Sequence, residues 1–222
     1  METRRRILAA TRRHLPAADL LHVEEIADLA KVSVQTVYTH FGSKGGLLVA
    51  LAAETQKEAG LLGFERVWSS NHGEAALRAM LESTFELCDY AWPYIAFTLR
   101  VRRSDSELDA LITRYDKSRL LHLIVICRRL QKEGRLAGRL TTAQAARLAF
   151  SFTTPYVYEA LVVQNGLPPR VARALVVDAI IGAVVRPGSQ AVPTDKIDWT
   201  RLGLRPLDSA FSSNPAQTTR RA

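Results

Sequence analysis

Two short apolar-patterned stretches, three residues apart, constrain this chain more than any other feature in it. Residues 23–30 (Val-Glu-Glu-Ile-Ala-Asp-Leu-Ala) and 34–41 (Val-Gln-Thr-Val-Tyr-Thr-His-Phe) both have helical spacing, and Lys31-Val32-Ser33 joins them. So short a turn does not let two helices lie antiparallel; they cross steeply, as in a helix-turn-helix. Ser33 stands where an N-cap is needed, and Glu24 and Glu25 fall in a first turn, where the helix dipole favours acid. Ile26, Ala27, Val32 and Val37 are the inward residues, and Ala27 is small enough for close approach. Two helices this short bury too little surface alone. Residues 3–15, with Ile7, Leu8, Thr11 and Leu15 on one face, supply a third wall.

The third helix leaves Gln35, Thr36, Tyr38, Thr39 and His40 facing outward, a polar set without acid. Carboxylates there would repel phosphate. Gln and Thr read base edges, and Thr also touches a thymine methyl. Tyr38 and Thr39 suit phosphate oxygens. Gly42 ends the helix, and Ser43 caps a longer one over 44–60. Lys44 opens that helix, an end where a cation is disfavoured unless an anion sits nearby. The expected DNA-binding set is Ser33, Val34, Gln35, Thr36, Tyr38, Thr39, His40 and Lys44, with double-stranded DNA as partner. Arg4, Arg5 and Arg6 are either a solvated charged end or an arm on phosphate or the minor groove.

The 222 residues carry a formal charge of +8, which favours polyanionic partners. Within residues 1–50 the net is only +2, from seven Lys/Arg and five Asp/Glu, so local clusters matter more than the sum. Two cysteines, Cys88 and Cys127, rule out a disulfide framework and sit in apolar helical patterns. The five histidines show no metal-ligand spacing. No apolar run is long enough for a membrane span, and no signal peptide is apparent, so a cytoplasmic location is expected.

Beyond the turn cluster at 69–73 the expected helices are 74–91, Pro93 to about 103, 106–133, a helix from Thr141 or Thr142 to Gln164, and one from Pro168-Pro169 to about Val185. The chain is thus expected to be all-α, with domains over 1–60 and 61–186 and an irregular tail over 187–222. Within the tail, 197–202 around Trp199 is the part able to pack. Pro155 interrupts a helical pattern, either as a break capped by Thr153 or Thr154 or as a kink bordering a pocket. Nearby and upstream aromatics offer an apolar cavity with a few polar tips. Its candidate lining is Phe85, Trp92, Phe97, Tyr115, His122, Phe152 and Tyr156; the alternative for each is plain core. The last two helices are apolar on more than one face, which points to a partner surface.

The segments Arg6–Ala10, Val23–Ala27 and Val32–Lys44 together resemble the TetR/AcrR family of bacterial regulators. The resemblance covers about 50 residues. It implies a homodimeric, ligand-responsive repressor whose third helix enters the major groove. It further implies that Tyr38 and Lys44 bind phosphate, that later helices form a pocket for a largely apolar small-molecule effector, and that the last two pair across the dimer. No cofactor is implied. Three positions depart from the family pattern. Lys31 replaces the usual turn Gly, His22 replaces the capping Thr, and Gly45-Gly46 opens the fourth helix. Two other readings compete, a helical small-molecule enzyme and a ligand-independent DNA-binding scaffold. The enzyme lacks a nucleophile–base pair, a metal motif or a phosphate-cradling loop.

Overall fold

The computed structural model describes residues 2–17, 20–58 and 64–187. The tail expectation, including 197–202, lies outside the described residues. Ten α-helices are present among them: α1 Glu2–His14, α2 Val23–Ala30, α3 Val34–Phe41, α4 Lys44–Glu58, α5 Phe64–Ser69, α6 Gly73–Val101, α7 Ser106–Lys132, α8 Thr142–Phe152, α9 Pro155–Tyr158 and α10 Pro169–Val184. Single turns follow at Leu15–Ala17 and Arg102–Ser104, and a π-turn at Glu159–Gln164. Among the described residues there is no strand, only an isolated bridge between Leu136 and Val185. The expected all-α class holds.

Two compact units form. The first joins residues 2–58 with 91–115, the second 64–90 with 116–187. Sequence alone drew the boundary near 60 and left 91–115 with the later helices. The reason for the different grouping is packing. Ile7, Leu8, Val23, Ile26, Val37, Leu47 and Leu51 share one buried cluster with Phe97, Val101, Leu108 and Leu111. Short helices need that extra apolar surface.

Several local expectations turn on backbone detail. Lys31 does adopt the left-handed conformation (φ 52°, ψ 52°), which costs a non-glycine residue roughly 1–2 kcal/mol. Arg6 offsets part of this, since its Nη2 donates to Ala30 O (2.6 Å) and Lys31 O (3.0 Å) at the end of α2. His22 is the N-cap of α2 without a side-chain capping bond. The glycines opening α4 follow from close approach. A Cβ at Gly46 would overlap the Phe41 carbonyl, and one at Gly45 the Glu107 side chain. The expected break before Pro93 is present as a kink inside α6, where two helical segments meet at the non-helical Ala91 (φ −111°, ψ 18°) and Pro93 lies in the first turn of the second. α5 has no counterpart in the sequence reading, yet its Val67 is fully buried.

At Pro155 the helix breaks. Thr153 closes α8 and Thr154 precedes α9, with Pro155 in the first helical position. Thr141 opens α8 with a reciprocal capping box to Gln144. In the second unit α10 packs on α8, burying Ala145, Ala146 and Ala149 on one side and Val176, Val177 and Ile180 on the other. The start of α6 is held by a buried ion pair. Gly73 N–H donates to both Glu133 carboxylate oxygens (3.1 and 3.0 Å), and Arg129 Nε donates to Glu133 Oε1 (2.9 Å). Arg129 Nη2 also donates to Asn71 O. Cys88 and Cys127 are buried free thiols, each pushed up to about 12 chiefly by burial. Neither is a thiolate at neutral pH.

Candidate nucleic-acid interface and effector region

In the first unit, α3 is fixed by one fully inward residue. Val37 is 1% exposed, while Val34, Tyr38 and Phe41 pack partly against the same core. Ser33 caps α3, its Oγ accepting from Thr36 N–H (3.1 Å) and contacting Thr36 Oγ1 (2.8 Å). This leaves Gln35, Thr39 and His40 exposed and Thr36 half-buried. Thr39 Oγ1 donates to Gln35 O (2.8 Å), which settles the hydroxyl on its own helix. Gly42, at φ 77°, turns the chain out of α3, and its N–H returns to Tyr38 O (2.8 Å).

The N-terminal arginines have unequal roles. Arg6 is spent on the end of α2, as above. Arg4 lies over the Phe41 ring at 5.1 Å, a cation–π contact at the C-terminal end of α3. Arg5 is exposed.

Lys44 is exposed at the start of α4. Ser43 Oγ accepts from Gly46 N–H (2.9 Å) and so caps that helix. The same hydroxyl donates to the Glu107 carboxylate of α7. An anion therefore already stands at this helix end, where the sequence reading invoked only a phosphate. Glu107 lies 64 residues from Ser43, and nothing in the local pattern announces it. Its charge opposes a phosphate approaching Lys44. Glu107→Gln is accordingly expected to tighten DNA binding by about two- to fivefold at low salt, less at high salt. Titration at two salt concentrations checks it, and weaker binding by the variant would contradict this role.

The seven candidate effector residues are divided between the two units. Phe97 belongs to the core of the first unit, and Trp92 and Tyr115 are half-buried in that unit. In the second unit Phe85 and His122 are buried, whereas Phe152 (37%) and Tyr156 (53%) stand exposed. His122 Nδ1–H donates to Ser118 O (2.7 Å), and its ring lies 4.7 Å from Trp68 in an edge arrangement. Burial lowers its pKa, against the Ser118 bond. Phe85 lies 6.0 Å from Tyr158, whose hydroxyl donates to Asp89 Oδ1 (2.9 Å). Arg119, missed by sequence reasoning, is 2% exposed beside Thr153 and Phe150. A lone Arg on an exposed-looking stretch of α7 gives no sign of burial. Among the described residues no group of three His, Cys, Asp or Glu is placed to hold a metal.

A capped, acid-free third helix on a three-helix base is the architecture of a helix-turn-helix DNA-binding domain. Residues 7–51 match the family model described as bacterial regulatory proteins, tetR family. The fold recurs in solved structures. One, described as a TetR-family transcriptional regulator from Rhodococcus sp., has 18% identity and a TM-score of 0.69 over 82% of this chain and 99% of that one. FadR from Bacillus subtilis has 18% identity and a TM-score of 0.67 over 81% and 98%. SmeT has 20% identity and a TM-score of 0.69 over 89% and 98%. No curated protein matches. Residues 7–51 thus form a tetR-family helix-turn-helix region, and the chain carries the fold of TetR-family regulators. No helix among the described residues is long and apolar enough to cross a membrane.

Proposed function

We propose that this protein is a ligand-responsive transcriptional repressor, without enzymatic activity, that binds a two-fold operator as a homodimer through α3. The observation that carries the reading is the α3 surface itself. Val37 anchors it, Gln35 and His40 are exposed, and no acid lies on it. The phosphate contacts assigned to Tyr38 and Lys44, and the base contact assigned to Gln35, belong to this proposal.

Dimerisation is supported by exposed apolar side chains over α8 to α10. Phe152, Tyr156, Val163, Val171 and Leu175 are 37–56% exposed, a concentration that marks an interaction surface. Phe152 and Tyr156 are thereby better explained as partner contacts than as pocket lining. Ligand response is supported by the company of the fold. FadR of Bacillus subtilis was solved with stearoyl-CoA, SmeT with triclosan, and a regulator of Saccharomonospora viridis with choline. An effector that prefers a conformation with wrongly spaced recognition helices releases DNA by population shift.

The test is sedimentation at micromolar concentration together with selection of bound DNA from random sequence. A dimer and an inverted-repeat site are expected, with half-sites about one turn or more apart. Leu175→Glu should give a monomer that loses operator binding. A monomeric wild type with no preferred DNA would sink the proposal. On the selected site, Gln35→Ala should cost about 1–3 kcal/mol of discrimination at one base pair. Equal loss on all sequences would remove Gln35 from base reading.

A further inference from the structure

The last turn of α8 runs into Pro155, which has no N–H to continue the ladder. The carbonyls of that turn therefore need other donors. One of them, Thr153 O, accepts from Arg119 Nη1 of α7. The guanidinium lies 4.4 Å over the Phe150 ring. Arg119 Nη2 donates to Asp116 Oδ1 (2.9 Å), but the Asp116 side chain is 35% exposed, so that carboxylate is half in water. The adjacent Nε–H is buried and meets no acceptor. Nε and Nη2 share one edge of a guanidinium, the edge that pairs two-point with a carboxylate. Asp116 takes only half of it. Arg129 differs, since its carboxylate partner Glu133 is itself fully buried.

We propose that Arg119 is the anchor of an effector site for an organic acid with an apolar body. The acid takes the Nε/Nη2 edge, Asp116 turns out into water, and the apolar part lies against Phe150 and its neighbours. The second unit supplies buried apolar side chains for that part. Arg119 is near enough to Cys88 to oppose the effect of burial on that thiol, and Phe85 and Tyr158 pack together beside Asp89. A carboxylate suits the site better than a phosphate. One guanidinium balances one charge, and Asp116 and Asp89 penalise a second. The remaining nitrogen of the same guanidinium, Nη1, holds Thr153 O at the break between α8 and α9, so occupation bears on that break through Arg119. Phe152 and Tyr156 flank that break, so the site is wired to the surface assigned to dimerisation. The inference rests on the effector-responsive reading above.

The test uses the full chain and matched probes, the straight-chain carboxylic acids from hexanoic to dodecanoic and 4-phenylbutyric acid, each with its primary amide. Thermal shift and calorimetry are expected to show binding of at least one acid and not of its amide. Arg119→Gln should weaken that acid by at least about tenfold, with folding checked by circular dichroism. Asp116→Asn, which removes the competing charge and keeps the shape, should tighten it about threefold. A purely structural Arg119 predicts no such tightening. Acids and amides binding alike, no acid binding at all, or an acid indifferent to both substitutions would overturn the site. The selected DNA separates the two readings. An acid that binds through Arg119 without releasing DNA sinks the effector-responsive reading and keeps the site. Release by a ligand indifferent to Arg119 does the reverse.

Discussion

Glu133→Ala should destabilise the second unit by about 3–5 kcal/mol, the usual loss when one partner of a buried ion pair is removed. The Glu133 side chain is wholly buried and Arg129 nearly so, at 0% and 4%. Truncation leaves the Arg129 cation without its carboxylate and the Gly73 N–H without either acceptor oxygen. It also frees the turn at Asn71, which Arg129 holds through its backbone carbonyl. Glu133→Gln keeps an acceptor and the volume, so its loss should be smaller, about 1–3 kcal/mol. Urea denaturation with unchanged m-value is the measurement. The double change Arg129→Met with Glu133→Leu should cost less than Glu133→Ala alone, because no buried charge is orphaned. A loss below about 1 kcal/mol for Glu133→Ala would show that the pair is solvated in solution.

The second large effect concerns DNA. Lys44→Ala should weaken binding about tenfold on every sequence, from the loss of one charge-assisted phosphate bond. It should also lower the salt slope by about 0.9, one counterion fewer being released. Tyr38→Phe should weaken binding by a similar factor, roughly five- to tenfold, but leave the slope unchanged, since a phenol displaces no cation. Phenylalanine is the right replacement because the Tyr38 ring packs partly against the core, and alanine would confound binding with stability. Affinity measured from low to moderate salt separates the two. An unchanged slope for Lys44→Ala would remove that side chain from the phosphate contacts. In Glu107→Gln the Lys44 effect should grow, because the competing carboxylate is gone.

These outcomes depend on features that the sequence shows unequally. The helix-turn-helix was legible because its determinants are local. Ser33 caps from three residues away, Gly42 takes the positive φ, and Val37 sets the inward face by helical period. Lys31 was marked only by the resemblance, which puts a Gly there, and the structure gives it the left-handed conformation. Pro155 announced its break locally: a missing N–H is a covalent fact.

The remainder was decided by residues distant in the chain. Glu107 meets Ser43 across 64 residues, and Arg119 meets Thr153 across 34. Periodicity assigns charged residues to the solvent face, so it has no means of placing Arg119 or Glu133 in the interior. Phe152 and Tyr156 show the converse, apolar side chains that the fold leaves exposed. Aromatic character near a break suggests an apolar lining, yet burial depends on what packs over a side chain, and among the described residues these two stay 37% and 53% exposed. Sequence by itself determined the all-α class and the exposed polar face of α3, because short-range hydrogen bonding and sterics fix them. Only the tertiary structure decided which cations are buried, which carboxylates answer them and which apolar side chains are left exposed. Those are properties of solvent exclusion, which no local stretch of chain possesses.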